Sequence, residues 1–176
     1  VPAMGSHGGA TAEGQRKVLA EYGITEETMG VPVQSSMEVE KIGQLANGVP
    51  VYLDKIALGS DGIVVVNRVK PHTAFKADYE SGLCKMLAIG LGKHKGATAF
   101  HTCGMDMFGE LLPQLGKVVL DNAPVLFGLG IIENAYDHPA RLEIVWKEGL
   151  VKREKELLAE AKALMPRILL DNLHLL

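Results

Sequence analysis

Lys85 stands among Leu83, Cys84, Met86 and Leu87, where burying an ammonium is costly. Either the side chain snorkels to water or its nitrogen has a chemical task. His101 follows sixteen positions later, across a glycine- and lysine-rich run at 90–96. Two more histidines end apolar stretches: His7 in GSHGG, and His72 after IVVVNRVKP. Imidazole exchanges protons near neutral pH and is the commonest metal-ligating side chain. Each histidine can equally serve a local hydrogen bond, and spacing alone leaves both readings open.

The glycines around His7 permit close backbone approach to an anion. GSHGG nevertheless lacks the lysine-hydroxyl ending of a P-loop and the G-x-S-x-G of a serine nucleophile elbow. Arg68, Lys70, Lys93 and Lys95 form a basic cluster, readable as a solvated face or as a holder of phosphate or carboxylate. Cys84, His94, His101 and Cys103 match no compact zinc spacing. Asp78, Glu80, Asp106 and Glu133 are scattered, without the spacing of an acid/base dyad.

The elements that must position these groups follow from periodicity and punctuation. Residues 1–5 read as the end of a strand. Thr11 is an N-cap for a helix carrying Val18 and Leu19 inward, Gly23 stops it, and Thr25 caps a short turn. Residues 31–36 and 39–54 read as strands, with Asn47-Gly48 as a hairpin turn, and 53–60 as a short helix. The apolar runs at 61–69 and 124–135 read as buried strands of the kind covered by helices on both faces. Residues 83–90 read as helix, 90–96 as a loop, 97–103 as a helical start, and 107–122 as a helix interrupted near Pro113. RLEIVWKE alternates as a strand does. The last helix starts near Gly149, has an apolar stripe at Leu157, Leu158, Ala161 and Leu164, and stops at Pro166. The order predicts an α/β layered sandwich around a mixed, largely parallel sheet with an added β-hairpin, binding ligands at strand ends.

The 176 residues are 47% hydrophobic and 22% charged, with 5% aromatics and a net charge of -3. That composition is globular, with a core of aliphatic side chains, and it carries neither a nucleic-acid footprint nor a membrane-surface patch. Two cysteines cannot make a disulfide framework, so the expected compartment is the cytoplasm. Residues 1–147 read as one lobe whose upstream part is missing, and 148–176 as a helical segment leading toward an absent second lobe. A homo-oligomer is compatible with this organisation.

GSHGGATAEG and GLCKMLAIGLG followed by His101 resemble the nickel-pincer lactate racemase family, over roughly residues 1–135. The resemblance implies that Lys85 anchors a nickel-pincer nucleotide covalently, that His101 ligates the nickel, and that His7 and His72 alternate as acid and base. It implies inversion of a 2-hydroxy acid or sugar acid by hydride transfer to the cofactor. Lys93, Lys95 and Arg68 are then candidates for holding the cofactor. An amide-type linkage at Lys85 would carry no charge, which suits its apolar neighbours. In the racemases an arginine follows the first histidine. Gly8 and Gly9 stand there in this chain, which leaves open how the substrate carboxylate is gripped. Two other readings are a non-catalytic nucleotide- or anion-binding module and a zinc-dependent hydrolase.

Overall fold

The structure, a computed structural model, describes residues 1–166. Alternation builds β3 (Ile63–Arg68), whose Ile63 and Val65 face inward. β3 pairs parallel with β4 (Val125–Glu133), and β4 pairs antiparallel with β5 (Pro139–Trp146), giving a mixed sheet in the order β3-β4-β5. A separate antiparallel hairpin joins β1 (Val39–Gln44) to β2 (Pro50–Asp54). Gly48 takes the left-handed conformation its turn requires, at φ +90°. The architecture is α/β, with the hairpin beside the sheet.

Capping sets the first helices. Thr11 accepts the Gly14 N–H at 3.0 Å to open α1 (Ala12–Glu21), and Thr25 and Thr28 cap α2 (Glu26–Met29) reciprocally. Asp54 accepts the Ala57 N–H at 2.9 Å to open α3 (Lys55–Leu58). α4 (Leu83–Lys85) widens into a π turn at Met86–Gly90, closed by the Leu91 N–H on the Met86 carbonyl. α5 (Lys93–His101), α6 (Phe108–Asn122) and α7 (Leu150–Leu164) complete the set.

Four expectations change. Residues 31–36 form no strand, and only Val33 among them is buried. Residues 1–5 likewise form no strand; they are docked by the Gly5 N–H on the Gly90 carbonyl (3.0 Å) and by side chains that reach the Pro2 and Gly5 carbonyls. The run 90–96 is not a loop, because its glycines serve close packing. A Cβ on Gly90 would lie 2.6 Å from the Ala3 carbonyl oxygen, and one on Gly92 2.5 Å from that of Ala88. α6 passes through Pro113 unbroken, since only one helical bond is forgone while Leu111, Leu112 and Leu115 pin the helix to the core.

Among the described residues, helices cover one face of the sheet only. Leu83 and Leu150 fit against Gly128, and Leu157 against Gly130. The opposite face carries the rows Val64–Phe127–Trp146 and Val66–Leu129–Ile144, with Val66, Ile144 and Trp146 at 54%, 54% and 64% exposure. α7, expected to lead away, packs back onto β4 and α4 in the same core. Of the segment 148–176, residues 167–176 lie outside the described residues. Among the described residues no helix is long and apolar enough to cross a membrane.

Candidate functional site

Lys85 ends α4, half-buried, with Nζ donating to Ser81 Oγ at 3.3 Å. Burial lowers its pKa, and the nearby Lys70 ammonium lowers it further. His72 lies on the loop leaving β3. Its Nδ1 accepts the Ala74 N–H at 3.1 Å, and its ring stacks on Phe75 with centroids 4.5 Å apart. Burial lowers the His72 pKa first, Lys85 lowers it next, and Lys70 adds to this against an upward pull from Glu80. The fold thus brings His72 and Lys85, thirteen positions apart, within electrostatic reach.

His101 is connected to the same region through aromatic rings. Phe75 meets Phe108 edge-on at 5.6 Å, and His101 meets Phe108 edge-on at 5.4 Å. His101 Nδ1 donates to the Ala97 carbonyl at 2.6 Å. A carbonyl only accepts, so the ring's other nitrogen is left with its lone pair outward. Metal-ligating histidines are oriented in this way.

His7 shares that tautomer: Nδ1 donates to the Met4 carbonyl at 2.7 Å, and the side chain is exposed. Its loop sits on the π turn that follows Lys85, through the Gly5–Gly90 bond. Gln15, wholly buried, fixes the loop by donating to the carbonyls of Gly5 at 2.8 Å and His7 at 3.3 Å. Lys93 supports Gln15 in turn. Its ammonium donates to Gln15 Oε1 at 3.1 Å and to the Pro2 carbonyl, and pairs with Asp54 at 3.4 Å.

Lys93 is therefore not a cofactor-phosphate ligand as expected. It is fully buried, held at φ +54°, with every donor direction turned into the core. A non-glycine residue stays in that conformation only where its surroundings over-determine it. The other expected holders are partnered at the surface: Arg68 with Glu133 at 3.0 Å, and Lys95 above the Tyr52 ring at 4.6 Å.

Four acidic or basic groups to which the sequence assigned no role hold the site. Glu80 is buried and accepts the N–H of His72 at 2.6 Å and of Ala77 at 2.9 Å, beside Lys162 of α7 at 2.6 Å. Burial pushes the Glu80 pKa up, but Lys162 and the two N–H donors outweigh it and hold it low. Glu154 of α7 is also buried and accepts the Cys84 N–H at 2.7 Å at the start of α4. A sequence signal existed for Glu154: it occupies an apolar-stripe position between Leu150 and Leu157. Lys155 adds an ion pair with Asp78 at 2.5 Å.

A cleft of about 690 Å³ runs beside the His72 loop, between 74–78 and 105–110. A second, of about 790 Å³, lies between α1, α2 and residues 33–35, away from these groups. Among the described residues no three or more His, Cys, Asp or Glu side chains gather to hold a metal. Cys84 is sealed in the core, where burial and Glu154 push its thiol pKa well up, so the zinc set has no geometric basis.

No individually curated protein matches the chain. The family described as "Lactate racemase N-terminal domain" matches residues 1–109, which contain His7, His72, Lys85 and His101. By that match, over more than half of its length, the chain belongs to the lactate racemase N-terminal domain family.

Proposed function

We propose that the chain is the catalytic lobe of a racemase or epimerase that inverts a 2-hydroxy acid or sugar acid, with a nickel-pincer nucleotide carried on Lys85. The observation that carries this reading is a half-buried amine held on Ser81 within electrostatic reach of an imidazole that the loop after β3 delivers. The donor set suits the cofactor. Depression of the Lys85 pKa favours the neutral amine that an amide-type linkage needs, and His101 offers an outward lone pair backed by the Ala97 carbonyl.

When bound, the cofactor supplies the two-electron acceptor and donor that inversion at a carbinol carbon requires. The chain's own residues manage the proton. A planar intermediate must be served on both faces, and one side chain cannot reach both. His7, with Nδ1–H given to Met4, is set to accept a proton at its other nitrogen. His72, whose Nδ1 accepts from Ala74, carries its proton at Nε2 when neutral and can give a hydrogen bond there. Whichever histidine takes the hydroxyl proton becomes the imidazolium, and the other returns a proton only from its own imidazolium form, so the two exchange base and acid roles with the direction of turnover.

Co-expression with the cofactor-making enzymes, followed by intact-mass measurement and a chirality assay over a panel of 2-hydroxy acids, tests this. The expected result is a stable adduct absent from Lys85→Ala, and racemisation abolished by the same change. No adduct under conditions that load a racemase would instead favour the anion-binding module, a reading motivated by Gly8 and Gly9 after His7.

A further inference from the structure

Of the four clustered cations, three are accounted for: Arg68 faces Glu133, Lys93 is buried on Asp54 and Gln15, and Lys95 lies over Tyr52. Lys70 is exposed, and among the described residues its ammonium has no hydrogen-bond or ion-pair partner. Its backbone is nevertheless fixed. Lys70 and Ser81 form an antiparallel bridge, exchanging N–H···O bonds of 2.9 and 3.2 Å. Residues opposed in such a bridge project to the same face, and Ser81 Oγ on that face accepts from Lys85 Nζ. A residue preceding proline is held extended, so Lys70 and His72, on either side of Pro71, also project together.

Lys70, Lys85 and His72 thus border one patch, and Lys70 accordingly lowers the pKa of both partners. The nearest buried acid, Glu80, is already engaged by Lys162 and two backbone N–H groups. Once Lys85 is acylated, Lys70 is the cation left beside His72 without a partner. Unpaired cations converging at a loop that delivers an imidazole make a receptor for an oxyanion.

We propose that Lys70 grips the carboxylate of the substrate, orienting the 2-hydroxyl toward His72. This assignment rests on the 2-hydroxy-acid reading above, and a phosphate of the cofactor is the other source of the same oxyanion chemistry. Lactate, inorganic phosphate and uncharged propane-1,2-diol are titrated into the 176-residue chain while the His72 ring resonances are followed by NMR. Lactate should shift them and the diol should not. Lys70→Met should weaken lactate about tenfold or more, the worth of one charge-assisted hydrogen bond, and Lys70→Arg should restore most of it. The dependence on Lys70 must persist in a Lys85→Ala background, where the second cation is gone. In the loaded enzyme, Lys70→Met should raise KM with little change in kcat.

Lactate affinity in Lys70→Met within about twofold of the parent, loss of the phosphate response alone, or no lactate response in the parent would each overturn the proposal. A loaded chain that racemises nothing, with the lactate response intact, would retire the enzymatic reading and leave the grip standing.

Discussion

At His72 a partly buried imidazole lies beside the Lys85 ammonium, and both burial and that charge disfavour protonation. The ring should titrate below the ordinary value of about 6.5. Its contribution to stability is then complete above about pH 6.5 and lost as pH falls through the lower folded value. Removing the cation reverses part of the shift: Lys85→Met should raise the His72 midpoint, and Lys70→Met should raise it less. Histidine-resolved NMR titration reads both. A midpoint unmoved by Lys85→Met would separate the two groups. Lys93 makes a different kind of prediction. Lys93→Met strands Asp54, Gln15 and the Pro2 carbonyl in the core, and should cost about 3–5 kcal/mol in chemical denaturation. With Asp54→Asn added, the total should fall short of the sum, since the two changes remove one interaction. In the sequence Glu80 was one of several scattered carboxylates and Lys93 a candidate cofactor holder, and neither read as a buried strut. Nothing local says which charge turns inward, because that depends on partners brought in from α7, α1 and β2.

Among the elements, α7 has the widest reach over the site. Lys155 and Lys162 are two helical turns apart and share a face, from which they hold Asp78, Glu80 and the Ala77 carbonyl of the His72 loop. Glu154, about a quarter turn away, holds the start of α4 and hence Lys85. Lys162→Met should therefore leave the global unfolding midpoint little changed and speed amide exchange across 72–80. Glu154→Leu leaves the Cys84 N–H unsatisfied and should destabilise by roughly 2–3 kcal/mol, whereas Glu154→Gln keeps an acceptor there and should cost less. Equal exchange rates in the parent and Lys162→Met would show that the loop stands without the helix. The π turn after Lys85 is the other decisive element. It was legible as helix, but not as a widened one, since an i→i+5 turn has no residue signature and arises here where Gly90 and Gly92 let neighbouring backbones close in.

At the scale of the molecule, the sheet has, among the described residues, a covered and an uncovered side. Val65 is buried and its neighbour Val66 is exposed, so adjacent substitutions should behave oppositely. Val65→Asp should cost more than about 4 kcal/mol by burying an unpaired charge. Val66→Asp should stay within about 1 kcal/mol of the parent, both read by thermal denaturation. A large loss at Val66 would mean that the outer face is covered in solution. The sequence run at 61–69, with Ile63 to Val66 unbroken by a polar residue, predicted helices on both faces. The structure supplies helices on one: among the described residues α4, the π turn after it and α7 pack on the sheet, while α6 packs on the β1–β2 hairpin.

Periodicity, caps and the Asn-Gly turn already determined the order of helices and strands, since those signals act over a few residues. The motif spacing likewise singled out His7, His72, Lys85 and His101. Which of them share a site, which lysine is a strut and which is free, and which tautomer each histidine holds were decided only by tertiary structure. Those properties depend on carbonyls, carboxylates and rings contributed from across the chain, and burial becomes a free energy only once they have met.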